Sequence, residues 1–278
     1  MCSAFRKLSV FVGSLVLLAL LIATPLHARE LRVCADPNNL PFSNVARDGF
    51  ENRIVALLAA ELDATLTYTW WAQRRGFIRN TLKAGLCDLV PGVAAGMEML
   101  VTTAPYYRSA YVFVTRPDGP VLASIDDEAL RTLKIGVQMI GDDGANTPPA
   151  HALARRGIAD NVRGFMVYGD YREPNPTAAI IAAVARREID VAIAWGPLAG
   201  YFAPRQDVPL HITPVAPARD LTLPLAFDIA MGVRHGDEAL RAEIDAALSR
   251  RHDDILAILK SHGVPLVRDP RDAATAKP

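Results

Sequence analysis

The sequence predicts an α/β chain of two lobes, each a mostly parallel sheet flanked by helices, with two crossings between the lobes. Three observations carry this. Runs rich in β-branched and aromatic residues alternate with runs that place apolar residues at helical spacing, the pattern of a parallel sheet covered by helices. The series of strand, loop and helix starts a second time after a polar link at Asp118, Gly119 and Pro120. A last strand and two helices then follow that a lone second lobe does not need, so the simplest path returns the chain to the first lobe.

Taken in order, LRVCA from Leu31 reads as the first strand and DPNNLPFSN as a turn-rich loop. GFENRIVALLAAEL spaces Ile54, Leu57, Leu58 and Leu62 as one helical face. TLTYTWW is a β-prone run, RRGFIRNTLKAG carries Phe77, Ile78 and Leu82 on one helical face, and CDLVPGV is another apolar strand. YYRSAYVFVTRP is a long β-prone crossing segment, after which LKIGVQMIG, AHALARRG, VRGFMVYG, TAAIIAAVARRE and IDVAIAW alternate strand and helix again. Asn175 is placed to cap the helix that Pro176 opens. LHITPV leads out, and LAFDIAMGVR, DEALRAEIDAALSRR and DDILAILKSHG supply the returning strand and two helices. The first lobe is expected over 29–117 and 216–267 and the second over 118–215, with crossings near 114–121 and 209–218 and a disordered tail over 268–278.

The first segment has Arg6 and Lys7 ahead of an apolar run from Leu8 to Ile22, then small residues before Arg29, which reads as a secretory signal over 1–28 cleaved after Ala28. That run is short of the ~20 apolar residues of a spanning helix, so no stable membrane anchor is expected. Thirty basic and thirty acidic side chains leave the chain neutral, and about −2 once Arg6 and Lys7 are removed, which makes nucleic acid a poor partner. Export points to the periplasm. There the two cysteines beyond the signal, Cys34 and Cys87, suggest one disulfide; the alternative is two buried free thiols.

From Leu31 to Val267 the order of segments LRVCADPNNLPFS, GFENRIVALLAAEL, CDLVPGV, TTAPYYRSAYVFV, KIGVQ, EIDVAIAWGPLAGYFA and LAFDIAMGVR resembles the type II periplasmic solute-binding proteins of ABC uptake systems. The resemblance implies the periplasmic-binding-protein type II fold, two lobes around a cleft. WWAQRRGFIRNTLKAGLCDLVPGV, YGDYREPNP and AWGPLAGYFA are similar, more narrowly, to the MoxJ/XoxJ branch, which accompanies PQQ-dependent methanol dehydrogenases. That implies an accessory protein of a PQQ-dependent alcohol dehydrogenase, with the enzyme and its c-type cytochrome as candidate partners. Two other readings stay open: the receptor of an importer for a small solute that is not an amino acid, and a periplasmic dehydratase with Asp36 or Asp170 as proton donor.

In such a fold the ligand meets loops at the carboxyl ends of the strands. That selects Asp36, Asn38, Asn39, Phe42, Trp70, Gly96 and Tyr106 from lobe one and Gln138, Asp142, Asp170, Trp195 and Gly196 from lobe two. Amino-acid receptors of the family place an arginine ahead of the Pro-Tyr pair, here Pro105 and Tyr106, but this chain has Gly96 and Met97 there. Their amine-binding aspartate falls where Trp195, Gly196 and Pro197 stand. Both charged anchors are missing, and an aromatic at Trp195 favours a flat or apolar ligand, or else a packed wall with none. Arg74 and Arg75 are the candidate contact for a partner carboxylate, weighed against two solvated arginines.

No glycine-rich phosphate loop, GxSxG elbow, HExxH helix or CxxC pair occurs beyond the signal. His151, His211, His235, His252 and His262 lack ligand spacing, and GDDGAN, with Asp142, Asp143 and Asn146, lacks that of a calcium loop. The expectation is a binding protein, not an enzyme, with no cofactor of its own.

Overall fold

A computed structural model describes residues 29–140, 146–168 and 171–267. The expected signal, the expected tail and the candidates Asp142 and Asp170 lie outside the described residues.

Strand β1 (Arg29–Ala35) leads through the predicted turn-rich loop into helix α1 (Phe50–Glu61) and back along β2 (Ala64–Trp70), parallel to β1. Gly49 opens α1 because any Cβ there would lie 2.1 Å from the Phe42 carbonyl oxygen. Phe50, Ile54, Val55 and Leu58 of α1 are fully buried, each contributing about 1.5–3 kcal/mol of apolar transfer. The next helix, α2 (Phe77–Asn80), is shorter than the apolar spacing predicts. Its ladder ends where Thr81 leaves helical geometry and turns its hydroxyl back to the Phe77 carbonyl at 2.7 Å, although Phe77 and Leu82 are still buried together. Strand β3 (Val90–Ala94) follows.

The long strand β4 (Tyr107–Thr115) crosses from one lobe to the other. The second lobe continues with β5 (Ile135–Met139), α3 (Pro148–Arg155), β6 (Val162–Met166), α4 (Ala179–Ala185), β7 (Val191–Trp195), α5 (Gly196–Phe202) and β8 (His211–Pro214). β9 (Ala226–Val233), α6 (Glu238–Arg250) and α7 (His252–Ser261) return to the first lobe, where Ile244, Leu248, Ile255 and Leu259 join Phe50, Ile54 and Leu58 in one core.

Pairing is parallel within the strand–helix–strand units, β1 with β2 and β5 with both β6 and β7. It is antiparallel wherever a crossing strand inserts, because that strand enters from the hinge side. Residues 107–110 of β4 pair with β9 in lobe one, and residues 111–115 pair with β7 and β8 in lobe two. The change of partner thus falls between Ala110 and Tyr111, ahead of the 117/118 junction expected from the sequence, and the return lies between Pro214 and Ala226. Asn175 does not cap as expected: its backbone is left-handed at φ 52°, its side chain makes no cap bond, and its N–H is given to Asn38 across the lobes.

Cys34 and Cys87 form a disulfide within the lobe-one core, Cα atoms 5.5 Å apart. Beside it Asp88 takes Arg32 Nη2 at 2.6 Å and Arg234 Nη2 at 3.0 Å, tying β1 to the end of β9. In lobe two, Asp220 accepts from both Arg155 and Arg156 at the end of α3.

Candidate functional site

Between the lobes lies a cavity of about 430 Å³. The loop after β1 supplies Asn39 and Phe42, the residue run after β2 supplies Gln73, β4 supplies Tyr111 at its partner exchange, and β9 supplies Phe227 and Ile229. Lobe two adds Gln138 at the end of β5, Thr147, Thr177 and, where β7 meets α5, Trp195. Among the described residues, none that lines this cavity carries a charge. Trp195 stands edge-on to Tyr111 at 5.3 Å and to Phe227 at 5.8 Å between ring centres, so aromatic groups of both lobes share one wall. Its backbone N–H is fixed by the Gln138 side chain at 2.9 Å, and the Gln138 carbonyl takes the Thr147 hydroxyl at 2.6 Å.

An adjoining chamber of about 150 Å³ is walled by Phe42, Tyr107, Trp195, Gly92 and the carboxyl of Glu51. Glu51 is only 8% exposed, and among the described residues no hydrogen bond reaches its carboxyl. Burial, reinforced by the charge of Asp36, pushes its pKa up to about 8. Gly92 makes room for it, since a Cβ at that position would sit 2.0 Å from the Glu51 Oε1.

The lobes are tied beside the cavity. Asn38 donates its amide to the Glu173 carbonyl at 2.9 Å, Thr177 donates its hydroxyl to the Leu40 carbonyl at 3.3 Å, and Tyr171 donates to the Asp36 carboxylate. Burial, then the Asp36 carboxylate, raises the Tyr171 pKa. The Arg74 guanidinium lies 4.8 Å from the centre of the Tyr171 ring.

Of the residues chosen from the sequence, the structure brings Asn39, Phe42, Gln138 and Trp195 together around the cavity. The others stand elsewhere. Asp36 is buried and its carboxylate accepts the N–H groups of Asn38 at 2.8 Å and Gln73 at 2.6 Å as well as Tyr171, which leaves it a structural acceptor away from the lining. Asn38 belongs to the tie between the lobes. Trp70 stacks on Tyr68 at 4.5 Å, and Gly96 forms a left-handed turn at φ 76°. Tyr106 is core, its hydroxyl given to the Pro91 carbonyl at 2.9 Å. Gly196 is buried against the Ala110 carbonyl. Arg74 packs on Tyr171, and Arg75 is engaged as well.

Sequence reasoning missed Gln73, Thr147, Thr177, Phe227 and, above all, Glu51. The signal for Glu51 was present: it stands in helical phase with Ile54, Val55 and Leu58, so the buried face of α1 includes an acid. Among the described residues no group of three His, Cys, Asp or Glu side chains converges to hold a metal ion, and no helix is long and apolar enough to cross a membrane.

No family model matches the chain. Among curated proteins, MoxJ of Methylorubrum extorquens is 32% identical over 254 residues, which span 86% of this chain and 82% of that protein. The chain belongs to the MoxJ family. MoxJ of Paracoccus denitrificans is 30% identical over 90% of this chain and 94% of its own length. Among solved structures, the periplasmic binding protein XoxJ from Methylobacterium extorquens AM1 is 36% identical with a TM-score of 0.71, covering 86% of this chain and all of that one. MxaJ from Methlophaga aminisulfidivorans MPT is 27% identical with a TM-score of 0.73, covering 85% of this chain and 100% of its own. An ancestral cationic amino acid solute binding protein, 18% identical with a TM-score of 0.64 over 84% of this chain and 95% of its own, shows the fold alone. This MoxJ-family chain therefore has the two-lobed architecture of periplasmic binding proteins, with a principal cavity whose described lining is uncharged.

Proposed function

We propose that this chain is a periplasmic accessory protein of a PQQ-dependent alcohol dehydrogenase system, of the methanol-oxidising kind, and that it binds the dehydrogenase itself. The observation that carries the reading is its likeness to MoxJ and XoxJ along nearly the whole chain, joined to a principal cavity whose described residues lack the charged pair that would hold an amino acid. A receptor for amino acids needs a guanidinium for the carboxylate and a carboxylate for the amine; here Gly96 and Met97 stand at the first place and Trp195 at the second. Export by a signal cleaved after Ala28 completes the proposal, and Arg74, set beside the inter-lobe tie, is a candidate contact for the enzyme or its c-type cytochrome.

Affinity capture with the purified dehydrogenase tests it. A stoichiometric complex that raises dehydrogenase yield or activity is the expected result. Failure to form any complex, with growth on the alcohol unaffected when the gene is deleted, would overturn the accessory role.

A further inference from the structure

The geometry points to a binding site for a small organic monocation, an ammonium or alkylated ammonium head, in the chamber walled by Phe42, Tyr107 and Trp195, with Glu51 as its counter-charge. This goes beyond the accessory role and holds whether or not the chain docks an enzyme.

The argument starts from a carboxyl in an unusual setting. Glu51 sits in the first turn of α1, where the helix dipole favours an anion, and its side chain is more than nine-tenths enclosed. Buried carboxylates are ordinarily paired, because an unpaired one forfeits its solvation. No cation and no hydrogen-bond donor reaches this one among the described residues. The titratable groups facing it are Asp36 after β1, Tyr68 on β2, and Tyr106 and Tyr107 at the start of β4, with Arg47 lying over the Tyr68 ring. None of the four carries a positive charge in either protonation state.

The rest of the chamber supplies what a weakly hydrated cation prefers. Aromatic faces attract positive charge through the ring quadrupole, and alkylated ammonium ions are their usual guests. A volume of about 150 Å³ holds a head of a few heavy atoms, and the adjoining larger cavity gives an uncharged substituent somewhere to go. Among the described residues the chamber offers no positive group to hold an anion, and a dication would bring a second charge that the lining does not meet.

Binding must expel the proton that burial leaves on Glu51. The bound cation stabilises the carboxylate, so affinity rises with pH until it passes about 8, the value for the empty site. Between about pH 6 and pH 9 the gain is about a hundredfold, one factor of ten for each unit below that value.

Titration calorimetry on the purified protein with choline, benzyltrimethylammonium and, as the uncharged isostere of choline, 3,3-dimethylbutan-1-ol tests this. The cations should bind, the alcohol should not, and Glu51→Gln should weaken the cations by more than about tenfold while erasing the pH dependence. Trp195→Ala, with its fold checked by circular dichroism, should weaken them with the pH dependence kept. An acetylated, amidated trimethyllysine peptide run beside choline separates a free amine from a side chain of a protein as the source; binding of either supports the site. No binding of any cation, equal binding of the neutral isostere, or affinity that falls as pH rises would overturn the proposal. The last result would make Glu51 a proton donor to an uncharged ligand.

Discussion

Asp220 and Glu51 are both nearly enclosed, at 6% and 8% exposed, yet their surroundings are opposite. Asp220 closes the end of α3 between two guanidiniums, and the Arg156 and Arg155 bonds outweigh burial and hold its pKa below the ordinary carboxylate range. Glu51 has no such partner among the described residues, and burial holds its pKa above that range. Asp88 likewise is held by Arg32 and Arg234, whereas the inner chamber keeps a charge-capable group without a partner among the described residues. An unmatched group costs stability, so its retention points to use outside the folded chain itself.

The largest blow to the frame is loss of its covalent link. The Cys34 and Cys87 sulfurs close a loop of 53 residues, and replacing both by Ser should lower the unfolding free energy by about 4 kcal/mol in urea titrations. An unchanged midpoint would mean the link does not constrain the unfolded chain.

Asp220→Asn should cost about 3 kcal/mol, because two arginines lose a buried partner. Its pH signature follows from the lowered pKa. The stabilisation is complete above the unfolded value of about 3.9 and disappears as pH falls through the folded one. Acid unfolding curves of the variant should therefore be flatter below about pH 4.

Glu51→Gln runs the other way. The folded state keeps a proton up to about pH 8 that the unfolded chain releases near 4.3, so wild-type stability declines across that window as pH rises. The variant should match wild type near pH 4 and exceed it by a margin that widens to a few kcal/mol as pH rises to 8, read by thermal unfolding. A variant less stable than wild type at pH 8 would show that the carboxylate is paired after all.

The smallest effect belongs to the tie between lobes. Thr177→Val removes one bond to the Leu40 carbonyl and should change stability by under about 1 kcal/mol, while enlarging the radius of gyration in small-angle scattering. Unaltered scattering would place the tie's strength in the Asp36 and Asn38 contacts.

The frame was legible because periodicity reports burial directly: the α1 face, the apolar β5 and β7 runs and the two returning helices all stand where their spacing placed them. Where local chemistry competes, spacing misleads. Thr81 turns its hydroxyl onto the helix that its neighbours would extend, and Asn175 is committed to Asn38 rather than to a cap. The cleft was harder to read, because its residues meet only through tertiary contact. Phe227 and Gln73 come from segments that look like plain strand and loop, and Asp36, chosen as a cleft acid, is consumed by Gln73 and Tyr171. The acid that does face the cleft was hidden in a helical run that reads as ordinary core.

Trp195 has one more property. It touches Tyr111 on the crossing strand and Phe227 on the lobe-one strand while being carried by lobe two, and it is one of three tryptophans in the chain. With Trp70 and Trp71 replaced by Phe, its indole becomes the sole long-wavelength emitter. Separation of the lobes would withdraw it from Phe227 into water and shift its fluorescence to the red, so the protein contains its own optical gauge of cleft opening.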